Sequence, residues 1–153
     1  MSPPTTSVSI EIAVPADLDR LFALEQQAFP APRQESRAGI LRSIQSPHQE
    51  LWVMEGKGFG LAGSMTLRLS PKSLRIYSIA IDPRMQGRGL GERFLTHAEA
   101  RAAGLRKTSI RLEADARNLR LLNWYARRGY HFFQRLEDYY GPGSCAHRLV
   151  KTL

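Results

Sequence analysis

Hydrophobic side chains recur along this chain at two spacings, and the two spacings predict different elements. Alternating apolar and polar residues, typical of half-buried strands, fill seven segments, whereas spacings of three and four residues, typical of amphipathic helices, fill four. In chain order the predicted elements are VSIEIAV (strand), DLDRLFALEQQAF and SRAGILRSIQS (helices), ELWVMEG, FGLAGSMTLRLS and LRIYSIAID (strands), GERFLTHAEARAAG (helix), KTSIRLEAD (strand), NLRLLNWYARRG (helix), YHFFQRL and CAHRLVKTL (strands). The order β-α-α-β-β-β-α-β-α-β-β predicts an α/β fold, with a mixed sheet and helices on both faces.

Local signals refine three of these elements. The first helix presents one stripe, mostly apolar, made of Leu18, Leu21, Phe22, Glu25, Ala28 and Phe29. The short connections between the three central strands predict antiparallel neighbours. The helix from about residue 89 to Gly104, with Phe94, Leu95, Ala98 and Ala102 facing inward, is the one expected to make a parallel crossover.

Length and composition predict a globular protein of one domain. The chain has 153 residues, of which 42% are hydrophobic and 24% charged, and these values are ordinary for a soluble domain. We expect a disordered N-terminus over residues 1–7 and a single domain over residues 8–153. No run approaches the ~20 apolar residues of a membrane span, and the start carries no export signal. The single cysteine, Cys145, excludes an internal disulfide and fits a reducing, cytoplasmic environment.

The positive charge is concentrated in the second half of the chain. Residues 1–76 carry 8 Lys/Arg and 7 Asp/Glu, a balance of +1, whereas residues 77–153 carry 14 and 7, a balance of +7. Such a surface favours an anionic partner: a phosphorylated cofactor, an acidic peptide or nucleic acid. An arginine-rich surface without a specific partner is the alternative.

Three glycines, Gly87, Gly89 and Gly91, alternate where a strand leads into a helix, in the segment MQGRGLGERF. Glycine in a helix costs roughly 1 kcal/mol relative to alanine, so the pattern indicates a need for positive φ or for a ligand against the main chain. At a helix N-terminus the free amides and the helix dipole favour phosphate, and Arg84, Arg88 and Arg93 add charge. A tight turn with packing glycines is the alternative.

Three kinds of phosphate site have glycine-rich loops of this type. A P-loop ends in Gly-Lys-Ser/Thr, which GLGERF lacks. A dinucleotide-binding loop has the spacing G-x-G-x-x-G, and the antiparallel strands before this loop are unusual for that fold, although Glu113 lies about where a ribose-binding acid would be expected. The third kind is a pyrophosphate site for coenzyme A.

The segment QGRGLG, Gln86 to Gly91, together with YSIAIDP before it and LEADARNLRLLNWYARRGY after it, resembles the GNAT superfamily of acetyl-CoA-dependent N-acetyltransferases. The resemblance runs from Ile10 to the C-terminus. The segments RLEADARN, WYARRGY and DYYGPG resemble the branch that acetylates protein N-termini, of the ribosomal-protein-alanine type. The resemblance therefore implies the GNAT acyl-CoA N-acyltransferase fold, acetyl-CoA as donor and a primary amine as acceptor.

The same resemblance implies roles for individual residues. Glu113 falls on the position of the proton acceptor, and Tyr125, twelve residues later, on that of the proton donor. The positions implied for cofactor contacts are Ile79, Ala80 and Ile81 for pantetheine and acetyl, Gln86, Gly87, Arg88, Gly89, Leu90, Gly91 and Glu92 for the pyrophosphate, and Asn118 for the cofactor arm. Those implied for the acceptor are Phe29, Tyr139 and Tyr140.

The residue types suit acetyl transfer, and each has a structural alternative. A carboxylate can take the proton of an amine whose pKa is near ~8, and a tyrosine of pKa ~10 stays protonated and can donate to a thiolate. Glu113 would otherwise be a solvated strand residue paired with Arg111 or Arg117, and Tyr125 a core aromatic. The Tyr139–Tyr140 loop would otherwise be an ordinary hairpin connection.

Other functions stay open at this level. The segments FPAPRQ, without a tryptophan, and GPGSCAHRL, without a carboxylate, depart from the acceptor regions of relatives, so a small amine or a lysine side chain is an alternative acceptor. A non-catalytic module that binds CoA or associates with nucleic acid, for example through a ribosomal partner, belongs to a different class. Cys145 and His147 are too weak a pair to predict a nucleophile, and the histidine spacings predict no metal site. The oligomeric state is not predicted.

Overall fold

The computed structural model describes residues 7–153 and contains the seven strands and four helices in the predicted order. Their bounds are β1 Val8–Ile12, α1 Leu18–Ala28, α2 Arg37–Gln45, β2 Gln49–Gly56, β3 Gly60–Leu69, β4 Ser73–Ile81, α3 Leu90–Gly104, β5 Ser109–Asp115, α4 Leu119–Ala126, β6 His131–Leu136 and β7 Ala146–Thr152. The predicted disorder of residues 1–7 lies outside the described residues except at Ser7, whose carbonyl accepts a hydrogen bond from the N–H of Lys57 at 3.0 Å.

Three single 3₁₀ turns were not predicted from the sequence. They span Pro15–Asp17, Ala31–Arg33 and Pro83–Met85, and each has proline at its first or second position. Proline fixes φ near the helical value but lacks an N–H, so it starts a helical turn readily and is not tolerated further inside one.

The strands form a seven-stranded mixed sheet in the order β1-β2-β3-β4-β5-β7-β6. Strands β4 and β5 pair in parallel from Ser73–Ser109 to Ile76–Leu112, which confirms α3 as the parallel crossover. Strand β7 lies next to β5 and antiparallel to it, with β6 beyond. The mixed sheet is therefore as predicted, while the position of β7 ahead of β6 had no counterpart in the sequence pattern.

By internal contacts the described chain divides into two compact units. Unit 1 consists of the described residues up to Leu67 and of Ser78–His97; unit 2 consists of Arg68–Tyr77 and Ala98–Leu153. The prediction of one domain over residues 8–153 stays a prediction.

Unit 1 is built on β1, β2 and the first two helices. Its core cluster consists of Ala13, Leu21, Ile40, Leu51 and Val53, each 6% exposed or less, with Leu18, Phe22, Ile44 and Leu61 packed against it. Leu24 is also buried, although the predicted stripe omitted it. At that turn the predicted stripe had Glu25, which is only half-buried.

Unit 2 is organised by β5, whose even-numbered side chains, Ile110, Leu112 and Ala114, are buried. Lys151 pairs with Ile110 in the register of β7, and its Nζ lies 3.3 Å from Oε2 of Glu99 on α3. Helix α3 therefore covers the Ile110 face of β5. Because side chains alternate along a strand, Arg111 and Glu113 point to the opposite face.

Candidate functional site

The glycine loop of unit 1 is an exposed segment fixed at both ends. Residues 86–89 are exposed, while Met85 before them and Leu90 after them are 5% and 2% exposed. The first hydrogen bond inside α3 runs from the N–H of Arg93 to the carbonyl of Gly89. The amides of Leu90 and Gly91 therefore precede any acceptor within the helix.

Backbone torsions explain two of the three glycines. Gly87 has φ +77° and Gly89 has φ +74°, a region that costs other residues roughly 1–2 kcal/mol. A Cβ added at Gly87, Gly89 or Gly91 would meet no atom within 4 Å. Of the alternative, a tight turn with packing glycines, the packing part is therefore wrong, whereas the positive φ of Gly87 and Gly89 agrees with a tight turn.

Gly91 has neither positive φ nor a close neighbour, yet it lies in the first turn of α3. Glycine at such a place lowers helix stability, and among the described residues no atom lies within 4 Å of where its Cβ would be. The loop thus presents bare main-chain amides at the positive end of a helix, beside Arg88 and Arg93. This arrangement fits a diphosphate.

The segment before the loop is held by Asp82, which is 3% exposed. Its carboxylate accepts from the backbone N–H and Nε of Arg84 at 2.9 and 3.1 Å and from Nη2 at 2.9 Å. These hydrogen bonds from Arg84 hold the pKa of Asp82 below its ordinary value. The N–H of Asp82 donates to the carbonyl of Ala62 at 2.9 Å, so the turn is tied to β3.

The predicted cofactor positions Ile79, Ala80 and Ile81 end β4 in unit 1. A Cβ at Gly63 would lie 2.8 Å from the carbonyl oxygen of Ala80 and 2.9 Å from the Phe94 ring. Glycine at 63 therefore allows β3, β4 and α3 to approach one another closely. Ala80 itself is 2% exposed, so its side chain is not available to a ligand.

In unit 2 the Glu113 carboxylate is held between two arginines. Oε2 accepts from Nε of Arg75 on β4, and Oε1 accepts from Nε of Arg148 on β7, both at 2.9 Å. The Glu113 side chain is 4% exposed, against 27% and 26% for the arginines. The alternative of a solvated glutamate paired with Arg111 or Arg117 is wrong.

Arg75 also connects Glu113 to the predicted tyrosine loop. Its Nη2 donates to the Tyr139 hydroxyl at 2.7 Å, and the rings of Tyr139 and Tyr140 are in edge contact with centroids 4.8 Å apart. Burial alone would lower the pKa of Arg75, but the charge of Glu113 dominates together with Tyr139, and the net effect raises it. The Arg75 guanidinium therefore contacts both Glu113, the candidate proton acceptor, and Tyr139, a candidate contact for the amine substrate.

Tyr125, the predicted proton donor, lies in a different group of side chains. Its ring contacts that of Tyr130, with centroids 5.5 Å apart, and the Tyr130 hydroxyl donates to Glu99 on α3 at 3.2 Å. Tyr125 is 8% exposed, and burial raises its pKa to about 12. Among the described residues its hydroxyl has no hydrogen-bond partner. Tyr125 is therefore on the α3 side of β5, and Glu113 on the other.

The remaining predicted residues have mixed surroundings. Phe29 is half-buried just after α1, and its carbonyl accepts from Nε2 of Gln34 at 2.9 Å. Asn118 caps α4, because its Oδ1 accepts from the N–H of Leu121 at 3.1 Å. Leu90 is buried, so its side chain cannot contact a cofactor, while Gln86 and Glu92 are exposed.

Cys145 is 9% exposed, and its Sγ lies 3.0 Å from Oε2 of Glu137, to which it donates. His147 is in edge contact with Phe132. Within residues 7–153, no three His, Cys, Asp or Glu side chains are grouped so as to hold a metal ion. None of the described helices is both long and apolar enough to cross a bilayer.

Sequence reasoning missed four residues of these sites: Gly63, Asp82, Arg75 and Arg148. A glycine inside a predicted strand is a signal of close backbone approach, so Gly63 could have been found. An aspartate followed by Pro-Arg at a strand end is a signal of a turn. The two arginines carry no such signal, because their relation to Glu113 depends on the register of three strands.

The comparisons with known proteins agree on one family. The model of the acetyltransferase (GNAT) family matches residues 18–130. The N-alpha-acetyltransferase RimI of Mycobacterium tuberculosis is 31% identical over 120 residues, covering 76% of each chain. The blasticidin-S acetyltransferase of Streptomyces morookaense is 27% identical over 136 residues, covering 89% of this chain and 98% of its own.

Among solved structures, the fold is similar to that of the ribosomal-protein-S18-alanine N-acetyltransferase from Escherichia coli. The TM-score is 0.86 with 19% identity, over 95% of this chain and 94% of the other. At this identity the likeness shows the fold alone.

Proposed function

The chain belongs to the acetyltransferase (GNAT) family, and from this premise we propose that it acetylates the N-terminal α-amine of a protein. Membership makes it an N-acetyltransferase of enzyme class EC 2.3.1 and implies acetyl-CoA as the acetyl donor. A non-catalytic binding module, the alternative of a different class, does not agree with this membership.

The observation that carries the cofactor part of the proposal is the glycine loop. Gly87 and Gly89 require positive φ, and Gly91 leaves open space in the first turn of α3. The amides of residues 87–92 would hold the diphosphate of CoA, with Arg88 beside it, and the main chain of Ile79–Ile81 would hold pantetheine. Acetyl-CoA supplies the acetyl group as a thioester whose sulfur leaves as a thiolate.

Glu113 is proposed as the proton acceptor for the incoming amine. Each of its oxygens already accepts one hydrogen bond from an arginine. A carboxylate offers about four acceptor sites, so a third partner, the amine or a bridging water, can still be accommodated. The two arginines fix the carboxylate in one orientation, which is the preorganisation that proton transfer needs.

Tyr125 is proposed as the proton donor to the leaving sulfur. Its burial raises its pKa to about 12, so the phenol stays protonated at any pH at which the enzyme would work. The amine attacks the planar thioester from one face. The base that takes the proton of the amine and the acid that protonates the leaving sulfur therefore need not contact each other. The location of Glu113 and Tyr125 on different sides of β5 is compatible with these roles.

Three observations bear on the acceptor. The 31% identity to the M. tuberculosis N-alpha-acetyltransferase and the tyrosine pair Tyr139–Tyr140 support a protein N-terminus. The similarity to the blasticidin-S acetyltransferase, over a larger share of both chains, supports a small amine as the second candidate. A cytoplasmic location and a ribosomal protein as partner are part of the proposal, as is Phe29 as an acceptor contact.

The proposal is tested by steady-state assays with acetyl-CoA against peptides that begin with alanine, polyamines and aminoglycoside-type amines. We expect a saturable rate on a peptide and none of comparable kcat/KM on the small amines. Glu113→Gln and Tyr125→Phe should each lower kcat by about 100-fold, the lower range for general acid–base catalysis.

Loss of chemistry must be separated from loss of fold. The affinity for CoA, measured by calorimetry, should stay within about twofold in both variants, because neither residue belongs to the glycine loop. A double variant that retains the wild-type rate would contradict both catalytic roles, and a higher kcat/KM on a small amine would contradict the protein acceptor.

A further inference from the structure

The face of unit 2 that carries Glu113 is rich in arginine. Arg75 and Arg148 form ion pairs with Glu113. Arg111 lies two residues before Glu113 on β5 and is paired in register with Arg75. Arg68 stacks on Tyr77 of β4, with its Cζ 3.6 Å from the ring centroid. Side chains two residues apart on a strand share a face. Four guanidinium groups therefore belong to this face of the sheet.

The carboxylates do not balance these charges. Among the described residues, Glu113 is the one carboxylate that forms ion pairs with the four arginines, and it already serves two of them. Arg68 and Arg111 have no ion pair within residues 7–153, and the buried Nε of Arg68 has no hydrogen-bond partner there. The four arginines and Glu113 therefore carry a net positive charge of three, and Asp115, two residues after Glu113 on β5, is paired with Arg117.

Aromatic rings hold the unpaired arginines in place. Arg68 lies over Tyr77, and Arg111 lies 5.8 Å from the ring centroid of Phe133, within the range of a cation–π contact. Tyr77, Tyr139 and Phe133 are 37%, 39% and 59% exposed. A guanidinium held against a ring keeps its donors available and loses less freedom when it binds an anion.

We infer that this face selects acceptors whose reactive amine is followed closely by a carboxylate, that is, protein N-termini with aspartate or glutamate at the second or third residue. The inference rests on the proposed function and adds that the acceptor carries negative charge close to its reactive amine. Glu113 and Tyr139, to which that function assigns the proton acceptor and an acceptor contact, belong to the same face through Arg75.

Charge complementarity decides the choice of occupant. An acidic peptide would meet Arg68 and Arg111, which have no ion pair among the described residues, whereas the neighbouring carboxylates are engaged: Glu113 with Arg75 and Arg148, Asp115 with Arg117, and Glu137 with Arg135. A polyamine would bring positive charge to the same arginines. A nucleic acid is also an anion, but it has no aliphatic primary amine to bring to Glu113, which makes it the less favourable partner.

The test compares two peptides of equal length that begin with alanine, one continuing with Asp-Glu and the other with Lys-Lys. We expect kcat/KM to favour the acidic peptide by about tenfold or more in dilute buffer, and the ratio to fall in about 0.5 M NaCl because salt screens exposed charges. Arg111→Gln should lower the ratio about fivefold, the upper range for one exposed charge pair. Arg127→Gln, which removes an equal charge from an exposed residue after α4, should leave the ratio unchanged.

The outcomes separate the inference from the proposed function. Equal kcat/KM for both peptides, or a ratio that Arg111→Gln does not change, overturns the inference while peptide acetylation stands. If neither peptide is acetylated but glutamate is preferred to spermidine in an Arg111-dependent manner, the protein acceptor fails and the charge selection stands. Acetylation of none of the four overturns both. Loss of poly-U binding in Arg111→Gln with an unchanged peptide ratio would assign the face to RNA and overturn the inference as well.

Discussion

The two units of this chain differ in what they could offer to an anion. Unit 1 carries 8 Lys/Arg and 9 Asp/Glu, a balance of −1, whereas unit 2 carries 14 and 5, a balance of +9. The candidate diphosphate loop nevertheless lies in unit 1, where main-chain amides and absent side chains form it. Recognition of an anion by backbone dipoles needs no excess of positive side chains, so the net charge of the chain points to unit 2 and to a second, separate anion.

Two glutamates show a similar contrast, Glu25, which is half-buried, and Glu113, whose side chain is 4% exposed. Glu25 on α1 accepts a hydrogen bond from the N–H of Glu35, and among the described residues no cation pairs with it, so burial raises its pKa. Glu113 is more buried but has two guanidinium partners. Partial burial of the Glu25 carboxylate in unit 1 thus costs free energy, whereas the Glu113 carboxylate in unit 2 is stabilised by two ion pairs.

The largest expected effect is on CoA affinity, when Gly89 of the loop is compared with Gly58, a glycine to which no ligand role is assigned. Gly89 and Gly58, which lies in the turn after β2, both have φ +74° and no atom within 4 Å of an added Cβ. Alanine should therefore strain the backbone equally at the two positions. Gly89→Ala should weaken CoA binding by about 100-fold, equivalent to two charge-assisted hydrogen bonds of about 1.5 kcal/mol each.

Calorimetric titration with CoA measures this difference, and thermal unfolding provides the check that both variants lose similar stability. Gly58→Ala should bind CoA as the wild type does. An equal loss of affinity in both variants would mean that strain, not a missing ligand contact, explains the result.

The second prediction applies one substitution to both glutamates. Glu113→Gln should lower the free energy of unfolding by about 2 kcal/mol, because it leaves two arginines without their counter-charge. Glu25→Gln should raise it at pH 7, by less than about 1 kcal/mol, because the amide retains an acceptor oxygen and carries no buried charge.

Urea unfolding as a function of pH checks the sign. A group whose pKa is raised by folding stabilises the protein below its ordinary pKa, 4.5 for Glu25, and this contribution is lost as the pH rises through the folded-state value. The advantage of Glu25→Gln should therefore vanish at acidic pH. Stabilisation by both substitutions would contradict the ion pairs of Glu113.

The third prediction concerns Tyr125 in unit 2. Burial raises its pKa to about 12 from the ordinary 10.0, so its contribution to stability is complete below pH 10 and is lost as the pH rises towards 12. Between pH 8 and pH 11 this loss amounts to roughly 1 kcal/mol. The difference in unfolding free energy between wild type and Tyr125→Phe should shift by that amount, and a constant difference would mean that the hydroxyl is hydrated.

The smallest effect is expected at Gly91, where stability and CoA affinity should change in opposite directions. Gly91→Ala should raise the free energy of unfolding by about 0.5 kcal/mol, because alanine favours the helix and its Cβ meets no atom within 4 Å. The same change should weaken CoA binding about fivefold by filling space before the first turn of α3. A variant that is more stable and binds CoA equally well would remove the ligand explanation for this glycine.

Local pattern was sufficient for much of the fold. The alternation in β5 and the inward stripe of α3 ending at Gly104 depend on neighbours a few residues away, and both are present as predicted. The 3₁₀ turns at Pro15, Pro32 and Pro83 were not, because a single helical turn is too short to generate a hydrophobic period.

In the candidate site, the sequence alone determined the glycine loop. Ready access to positive φ and the absence of a Cβ are properties of glycine itself, so three glycines at a strand-to-helix junction predict an exposed main chain there. The tertiary structure decided what surrounds Glu113. Arg75 and Arg148 lie 38 and 35 residues from it along the chain. Arg75 reaches it because β4 pairs with β5, and Arg148 because β7 enters the sheet on the other side of β5. Strand order and register depend on interactions across the whole sheet, and no local pattern encodes them.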